Sequence, residues 1–358
     1  MAKIPETFQL EIIKRNERES EIREKEDYVR SKRTERNYQR EKDLESRQEN
    51  LGTLTDVFCD DIFTSTAPLA ESAFARDIKR RQEALKESVP FIHSSFSDHL
   101  NLIPGEWLTI AAYSGQGKST SIANAAATFI EHGKRVLIIS NEESATNFQK
   151  KIASIIVKTD PTLIHNQAAD GSDYRSVLAK VREMREDRQL AVLDHELSDN
   201  GTAQDAYILN LLNKLSEAQT KPDVVFIDYL TNIYSINCTS SDNRFMQLDH
   251  FCSEVKNLIN TLPFPLVMAA QLHSDDKRKG SSLDSKMLMG GSAIRYATSV
   301  IEIHPYDTET QVTKYTIHKS RHGRLGTLEL RYEKGRMLPF DPIDIINEKV
   351  GAESTQDS

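Results

Sequence analysis

The amino-acid sequence predicts an α/β domain built on a mainly parallel sheet, with an antiparallel extension at its C-terminal edge and a charged helical segment ahead of it. Three observations predict it. An apolar, β-prone run over 107–112 leads through a glycine-bearing turn into an Ala-rich helical stretch ending near Ile130. Apolar strand patterns and helical spacings then alternate as far as Ala270, as βαβ units require. From Ser299 onward the patterns are those of strands alone.

Taken from the N-terminus, residues 11–50 are about 60% charged, with acids and bases nearly balanced and neither Gly nor Pro. The apolar positions Ile12, Ile13, Ile22, Val29 and Leu44 are too sparse for a heptad seam. Residues 1–66 therefore read as a charged arm. It is either a solvated, fraying helix stabilised by i,i+4 ion pairs or plain disordered chain, or else an arm for partner docking or self-association. Gly52, Ser65 and Pro68 mark 51–68 as linking chain. A linker helix over 67–88 places Leu69, Ala73, Phe74, Ile78 and Leu85 on roughly one side. That side packs either on its own domain or on a neighbouring subunit.

The core is expected over 89–342. Its patterns assign strands to 107–112, 135–140, 190–193, 224–229 and 265–270, and helices to 120–131, 145–157, 174–188, 203–218 and 245–261. Strands that read as continuous apolar runs imply a sheet covered on both faces. The late strands are 299–304, 313–319 and 327–332. Residues 343–358 are acidic and polar, and are expected to be a disordered tail.

A net charge of −8 does not exclude nucleic acid, because a local basic loop is enough to meet phosphates. Cys59, Cys238 and Cys252 are far apart and form no C-x-x-C pair, which argues for a reducing compartment and against a structural zinc module. The ten histidines show no ligand spacing. No apolar run approaches a membrane span, and the first residues lack a signal-peptide pattern. The expectation is a cytoplasmic protein.

The chemistry begins at Ser114-Gly115-Gln116-Gly117-Lys118-Ser119-Thr120, set between strand and helix. That context is what a phosphate-binding P-loop needs. Backbone N–H groups of a tight loop and a helix N-terminus converge on one spot and hold a polyphosphate. Lys118 would reach the β- and γ-phosphates of ATP, and the Ser119 hydroxyl would sit on Mg²⁺. Ala112 stands where the G-x-x-x-x-G-K-[ST] pattern has its first glycine, a change that an extended backbone tolerates.

Downstream, Asn141-Glu142-Glu143 lies at the carboxyl end of a buried strand, where ligand chemistry gathers in open α/β sheets. A carboxylate there can polarise the water that attacks a γ-phosphate. Val224 to Asp228 is an apolar strand ending in an acid that would support Mg²⁺. Gln271 ends a third strand, either sensing the γ-phosphate or facing solvent. Lys319 and Arg321 stand two apart on a late strand and so share a face. They either reach a triphosphate held by the next subunit or merely solvate a hairpin.

These motifs together resemble the DnaB-type replicative helicases, which are RecA-like P-loop ATPases. Phe226-Ile-Asp228-Tyr229-Leu230 is similar to that family's Asp-Tyr-Leu Walker B segment. Ser140-Asn-Glu142-Glu-Ser144 resembles its Ser-Leu-Glu-Met-Ser motif, which implies Glu142 rather than Glu143 as the catalytic carboxylate. Ala269-Ala-Gln271-Leu272, Gly291-Ser292-Ala293-Ile294 and Lys319-x-Arg321-x-Gly323-x-x-Gly326 resemble three further segments, the last a trans-acting Lys/Arg pair. The resemblance covers residues 89–340. Arg295-Tyr-Ala-Thr298 replaces the family's acidic stretch, and the family's helical N-terminal domain has no counterpart in residues 1–66.

The resemblance implies a homo-oligomeric ring, a hexamer, that takes single-stranded DNA in its channel and a primase or loader as partner. The loops 231–244 and 273–291 would line that channel. Lys277, Arg278, Lys279 and Lys286 in the second suit backbone-phosphate contact, or belong to an ordinary solvated loop. Three readings follow: a DNA helicase, a RecA-like DNA-dependent ATPase of recombination or repair, and a P-loop switch that recruits partners through its charged arm.

Overall fold

The computed structural model describes residues 75–76, 78–100, 102–166, 170–194, 204–228, 244–272 and 292–340. The expected charged arm, the acidic tail and the two channel loops apart from Arg244 lie outside them. Residues 81–340 belong to one compact unit, and the few described residues before 81 belong to another. Residues 78–86 are helical, and a short 3-10 turn follows at Ser94–Phe96.

Six parallel strands form the body of the sheet. In chain order they are β1 (Trp107–Ala112), β2 (Val136–Ser140), β3 (Leu190–Leu193), β4 (Val224–Asp228), β5 (Leu266–Gln271) and β6 (Ser299–Ile303). Three antiparallel strands extend it: β7 (Val312–Ser320), β8 (Gly326–Glu333) and β9 (Arg336–Pro339). The order across the sheet is β3-β2-β4-β5-β1-β6-β7-β8-β9. The mainly parallel sheet with its C-terminal antiparallel extension is therefore as the sequence predicts. The strand β1 lies at the centre, between β5 and β6.

Helices cover both faces: α1 (Lys118–Glu131), α2 (Ala145–Ile156), α3 (Pro161–His165), α4 (Gly171–Glu186), α5 (Gln204–Glu217), α6 (Arg244–Leu258) and α7 (Ser292–Tyr296). The alternation within each strand explains why. In β4, Val224 and Phe226 join the core against α1, while Val225 and Ile227 join the core beneath α6. In β2, Val136 and Ile138 divide from Leu137 and Ile139 in the same way. Successive side chains point to opposite faces, so a strand buried on both sides must be apolar throughout.

The antiparallel extension folds back onto α1. The Tyr315 hydroxyl, fully buried, donates to Met337 Sδ at 2.9 Å and is hydrogen-bonded to Ser121 Oγ at 2.8 Å. Asn124 donates to the Gly335 carbonyl at 3.1 Å and accepts from the Met337 N–H at 2.9 Å. Phe91, Phe96 and Tyr315 stack edge to face at 5.4 and 5.7 Å, which ties the segment ahead of β1 to the same core.

Three elements besides the 3-10 turn go beyond the expected list, and the five-residue helix α7 at Ser292–Tyr296 is one of them. Strand β9 is only four residues long and contains a proline, so its pattern is too short to read. Helix α3 carries a legible cue: Asp160 accepts from the Thr162 N–H at 2.8 Å, with Pro161 at the first helical position. Helix α1 begins at Lys118 rather than Thr120, because Gly117 itself is the cap. No helix among the described residues is long and apolar enough to cross a membrane.

Candidate functional site

The loop between β1 and α1 depends on two backbone conformations. Gly115 has φ 76° and Gly117 has φ 83°, both in the left-handed region. Open space lies where a Cβ would stand at either position, so conformation rather than crowding calls for glycine. Gly117 caps α1 without a side-chain acceptor, so no cap side chain stands between the first turn of the helix and a ligand. Gln116 closes the loop from behind. Its N–H donates to the Tyr113 carbonyl at 3.3 Å, and its Oε1 accepts from the Tyr113 N–H at 3.2 Å. Ala112 is fully buried at the end of β1, where the extended backbone accommodates its methyl group.

Lys118 is 8% exposed and donates through Nζ to the carbonyls of Tyr113 at 3.0 Å and Ala112 at 3.4 Å. Burial lowers its pKa, while the charges of Asp228 and Glu142 raise it. The ammonium is thus held against the loop, between two acids.

Those acids come from neighbouring strands. Asp228 ends β4 in register with Ser140 of β2 and is completely buried. Among the described residues no group meets hydrogen-bond geometry with either of its carboxylate oxygens, although the Ser119 hydroxyl stands close by. Burial pushes its pKa up to about 6, with Glu142 and Glu143 adding to the rise; the nearby Ser119 hydroxyl and Lys118 pull the other way. Two orphaned, buried carboxylate oxygens beside a serine hydroxyl fit a hard divalent cation that takes its remaining oxygens from phosphate and water. No cluster of three or more His, Cys, Asp or Glu among the described residues could build a metal cage from protein alone.

The adjacent glutamates differ. Glu143 is bound to Lys151 at 2.8 Å, and its main chain is knotted to Ser140 Oγ, which accepts from its N–H at 3.0 Å. Glu142 is exposed on the wall of the cleft. Gln271 ends β5 directly beside Ala112.

A cleft of ≈ 640 Å³ unites these groups: Ser114, Gly115, Gly117, Lys118, Ser119, Thr120, Glu142 and Gln271 all line it. Asp228 lies buried at the end of β4, and Gln116 turns inward. The sequence reading missed Asn147 and Lys151, which also line the cleft. They stand i,i+4 on α2, so the helical spacing that follows Ser144 was the available signal.

Lys319 and Arg321 lie elsewhere. Strand β7 runs antiparallel to β6, pairing Ser320 with Ser299, and Ser299 pairs with Leu108 near the start of β1. The Arg321 N–H donates to the Thr298 carbonyl at 3.1 Å, and Thr298 in turn is bonded to Trp107. The pair therefore sits at the opposite end of the strands from the glycine loop. At about 3.3 Å per residue, the four steps from Leu108 to Ala112 alone put about 13 Å between them. Lys319 donates to the Arg295 carbonyl at 2.9 Å; burial lowers its pKa, and Arg321 and Lys256 lower it further. Arg321 is exposed. Lys277, Arg278, Lys279 and Lys286 lie outside the described residues.

The chain resembles known proteins in sequence and in fold. A probable replicative DNA helicase from Trieres chinensis is 22% identical over 317 residues, covering 84% of this chain and 67% of that protein. The replicative DNA helicase DnaB of Haemophilus influenzae is 22% identical over 250 residues, covering 67% of this chain and 52% of its own. The chain thus spans between about half and two thirds of the length of these relatives. A solved DnaB-like replicative helicase, described with its interactions with primase, superposes with a TM-score of 0.60 at 14% identity. That match covers 85% of this chain and 77% of the other. A solved ATPase domain superposes with a TM-score of 0.62 at 16% identity, covering 76% and 98%. At such identities these likenesses establish the fold, which is RecA-like. The model of the DnaB-like helicase C terminal domain matches residues 99–340, well over half of the sequence, and the chain belongs to that family.

Proposed function

We propose that this chain is the ATP-hydrolysing core of a ring-forming DnaB-like helicase that translocates on single-stranded DNA during replication. One observation carries the reading. Three sequence-distant segments, 114–120, 142–151 and the end of β5 at Gln271, converge on one cleft, while Lys319 and Arg321 stand at the far end of the sheet. A site so divided needs a second subunit to complete it.

Within the cleft, the N–H groups of the glycine loop and the start of α1 hold the polyphosphate, and Lys118 offsets charge on the β- and γ-phosphates. Ser119 and Asp228 would hold Mg²⁺, which, when bound, neutralises phosphate charge. Glu142 orients and polarises the attacking water, and Gln271 reads the presence of the γ-phosphate. Arg321, with Lys319 beside it, completes the site of the next subunit. The basic residues Lys277, Arg278, Lys279 and Lys286 contact DNA phosphates without reading bases. A primase or a loader is the expected partner of such a ring.

ATP turnover measured with and without single-stranded DNA, then strand displacement on a forked duplex, tests the proposal. DNA should stimulate hydrolysis several-fold, and displacement should require ATP. Hydrolysis indifferent to DNA would overturn the motor role. Stimulated hydrolysis without displacement would leave a DNA-dependent ATPase.

A further inference from the structure

The turn that carries Arg321 is tied to the Thr298 carbonyl through the Arg321 N–H and to Glu106 through His322, and its two sides are joined to one short segment ahead of β1. His99 Nδ1 lies 2.8 Å from the Arg324 carbonyl, and a carbonyl only accepts, so Nδ1 carries the proton. The His99 carbonyl accepts from Ser320 Oγ at 2.7 Å, and that same Oγ accepts from the Gly323 N–H at 2.9 Å. The Asp98 carbonyl accepts from the Arg324 N–H at 3.1 Å. Contacts thus reach Ser320 on one side of Arg321 and Gly323 and Arg324 on the other.

The two glycines of the turn fit the same residue. A Cβ at Gly323 would stand 2.1 Å from the His99 carbonyl oxygen, and one at Gly326 would stand 2.9 Å from the His99 ring. Neither glycine has a φ in the left-handed region, so close approach to His99 is what excludes a side chain there. His99 is itself fixed. Its N–H donates to the Phe96 carbonyl at 3.0 Å, and the Phe96 ring is fully buried against Tyr315.

We infer that His99 is a positioning residue for Arg321: it sets the path of the 320–326 turn and so the place at which the exposed guanidinium meets a neighbouring subunit. The inference rests on the trans-acting role proposed for Arg321. A group that must meet a transition state in another chain has no contact of its own to fix it beforehand. Its backbone must be fixed instead, and a misplacement of about 1 Å can cost about a hundredfold in rate.

The test compares His99→Ala, Arg321→Ala and the double variant in the full chain, by steady-state ATP hydrolysis and by binding of a fluorescent ATP analogue. His99→Ala should lower kcat by about tenfold to a hundredfold, with analogue affinity within about twofold of the parent. The double variant should be no slower than Arg321→Ala, because a misplaced residue that is already gone has nothing more to lose. His99→Asn should recover most of the rate, since its amide nitrogen stands where Nδ1 does. His99→Gln, whose amide reaches the Nε2 position, should not. Where His99→Ala fails to fold, the contrast between Asn and Gln carries the test. Losses that multiply in the double variant, or equal rates for Asn and Gln, would overturn the inference. So would a normal kcat in His99→Ala beside a crippled Arg321→Ala. Full activity of Arg321→Ala would overturn the trans-acting role itself, and this inference with it.

Discussion

At the C-terminal end of β1, the glycine loop and Lys118 are locked from within by Gln116, by main-chain carbonyls and by two acids. At the N-terminal end of the same strand, Arg321 stands exposed on a turn fixed by backbone groups, the Ser320 hydroxyl, His322 and His99. In the proposed function the first region receives phosphate with charge, dipole and shape all supplied by this chain. The second supplies a charge and nothing for it to act on. The difference teaches which properties one subunit owns and which belong to a pair.

Lys118→Ala and Arg321→Ala break the comparison most directly. The first should abolish hydrolysis and weaken nucleotide binding together, since it removes the charge that meets the phosphates. The second should bind ATP normally and hydrolyse it about 10³–10⁵-fold more slowly. Mixing the two should restore some turnover, because a junction between them can hold one intact loop and one intact Arg321. Full turnover by either variant alone would end the role assigned to that residue.

Glu142→Gln and Glu143→Gln sharpen the comparison inside the cleft. Among the described residues no cation stands at bonding distance from Glu142, whereas Glu143 is bound to Lys151. Glu142→Gln should retain ATP binding and slow hydrolysis by about 10²–10⁴-fold. Glu143→Gln should cost a few-fold at most. The reverse ranking, read by single-turnover hydrolysis, would move the water-activating role one residue on.

The smallest effect concerns stability. The Asp228 carboxyl titrates near 6 in the folded chain against an ordinary 3.8, so the folded state binds its proton more tightly than the unfolded state does. The stability this group contributes is therefore greatest below about pH 4, falls as pH rises through 6, and is gone above it. The difference is at most about 3 kcal/mol. Asp228→Asn should raise the melting temperature of the nucleotide-free protein at pH 8 by a few degrees, and the gain should shrink below about pH 5. Thermal unfolding at the two pH values checks it. A lower melting temperature at pH 8 would mean that the buried charge is better compensated than its orphaned oxygens indicate.

The parallel core was legible because its strands are apolar throughout and its turn chemistry is local: Gly115 to Ser119 can be read within five residues. The distinction between Glu142 and Glu143 was readable only through family resemblance, and the Lys151 partner that explains it comes from a helix whose facing depends on packing. The position of Arg321 was not legible at all. It follows from the order of strands and from β7 running against β6, both decided by long-range pairing rather than by local spacing. The contact of His99 with the turn at 320–326 joins residues more than two hundred apart and leaves no local signature. Helix α3, by contrast, was announced by Asp160-Pro161, a cap and a pre-set φ that went unread.

The opposite placement of loop and arginine along one strand also bears on symmetry. A two-fold contact is reciprocal, residue i meeting residue j and j meeting i, so it would complete two sites at one junction and stop there. If each arginine instead serves the next subunit in line, the contact is head to tail and heterologous. Such contacts have a direction, and they end either in a closed ring or in an open helical filament. Which one forms is decided by the rotation between neighbours, so a change at a subunit contact could alter the number of working sites without touching a residue in any of them.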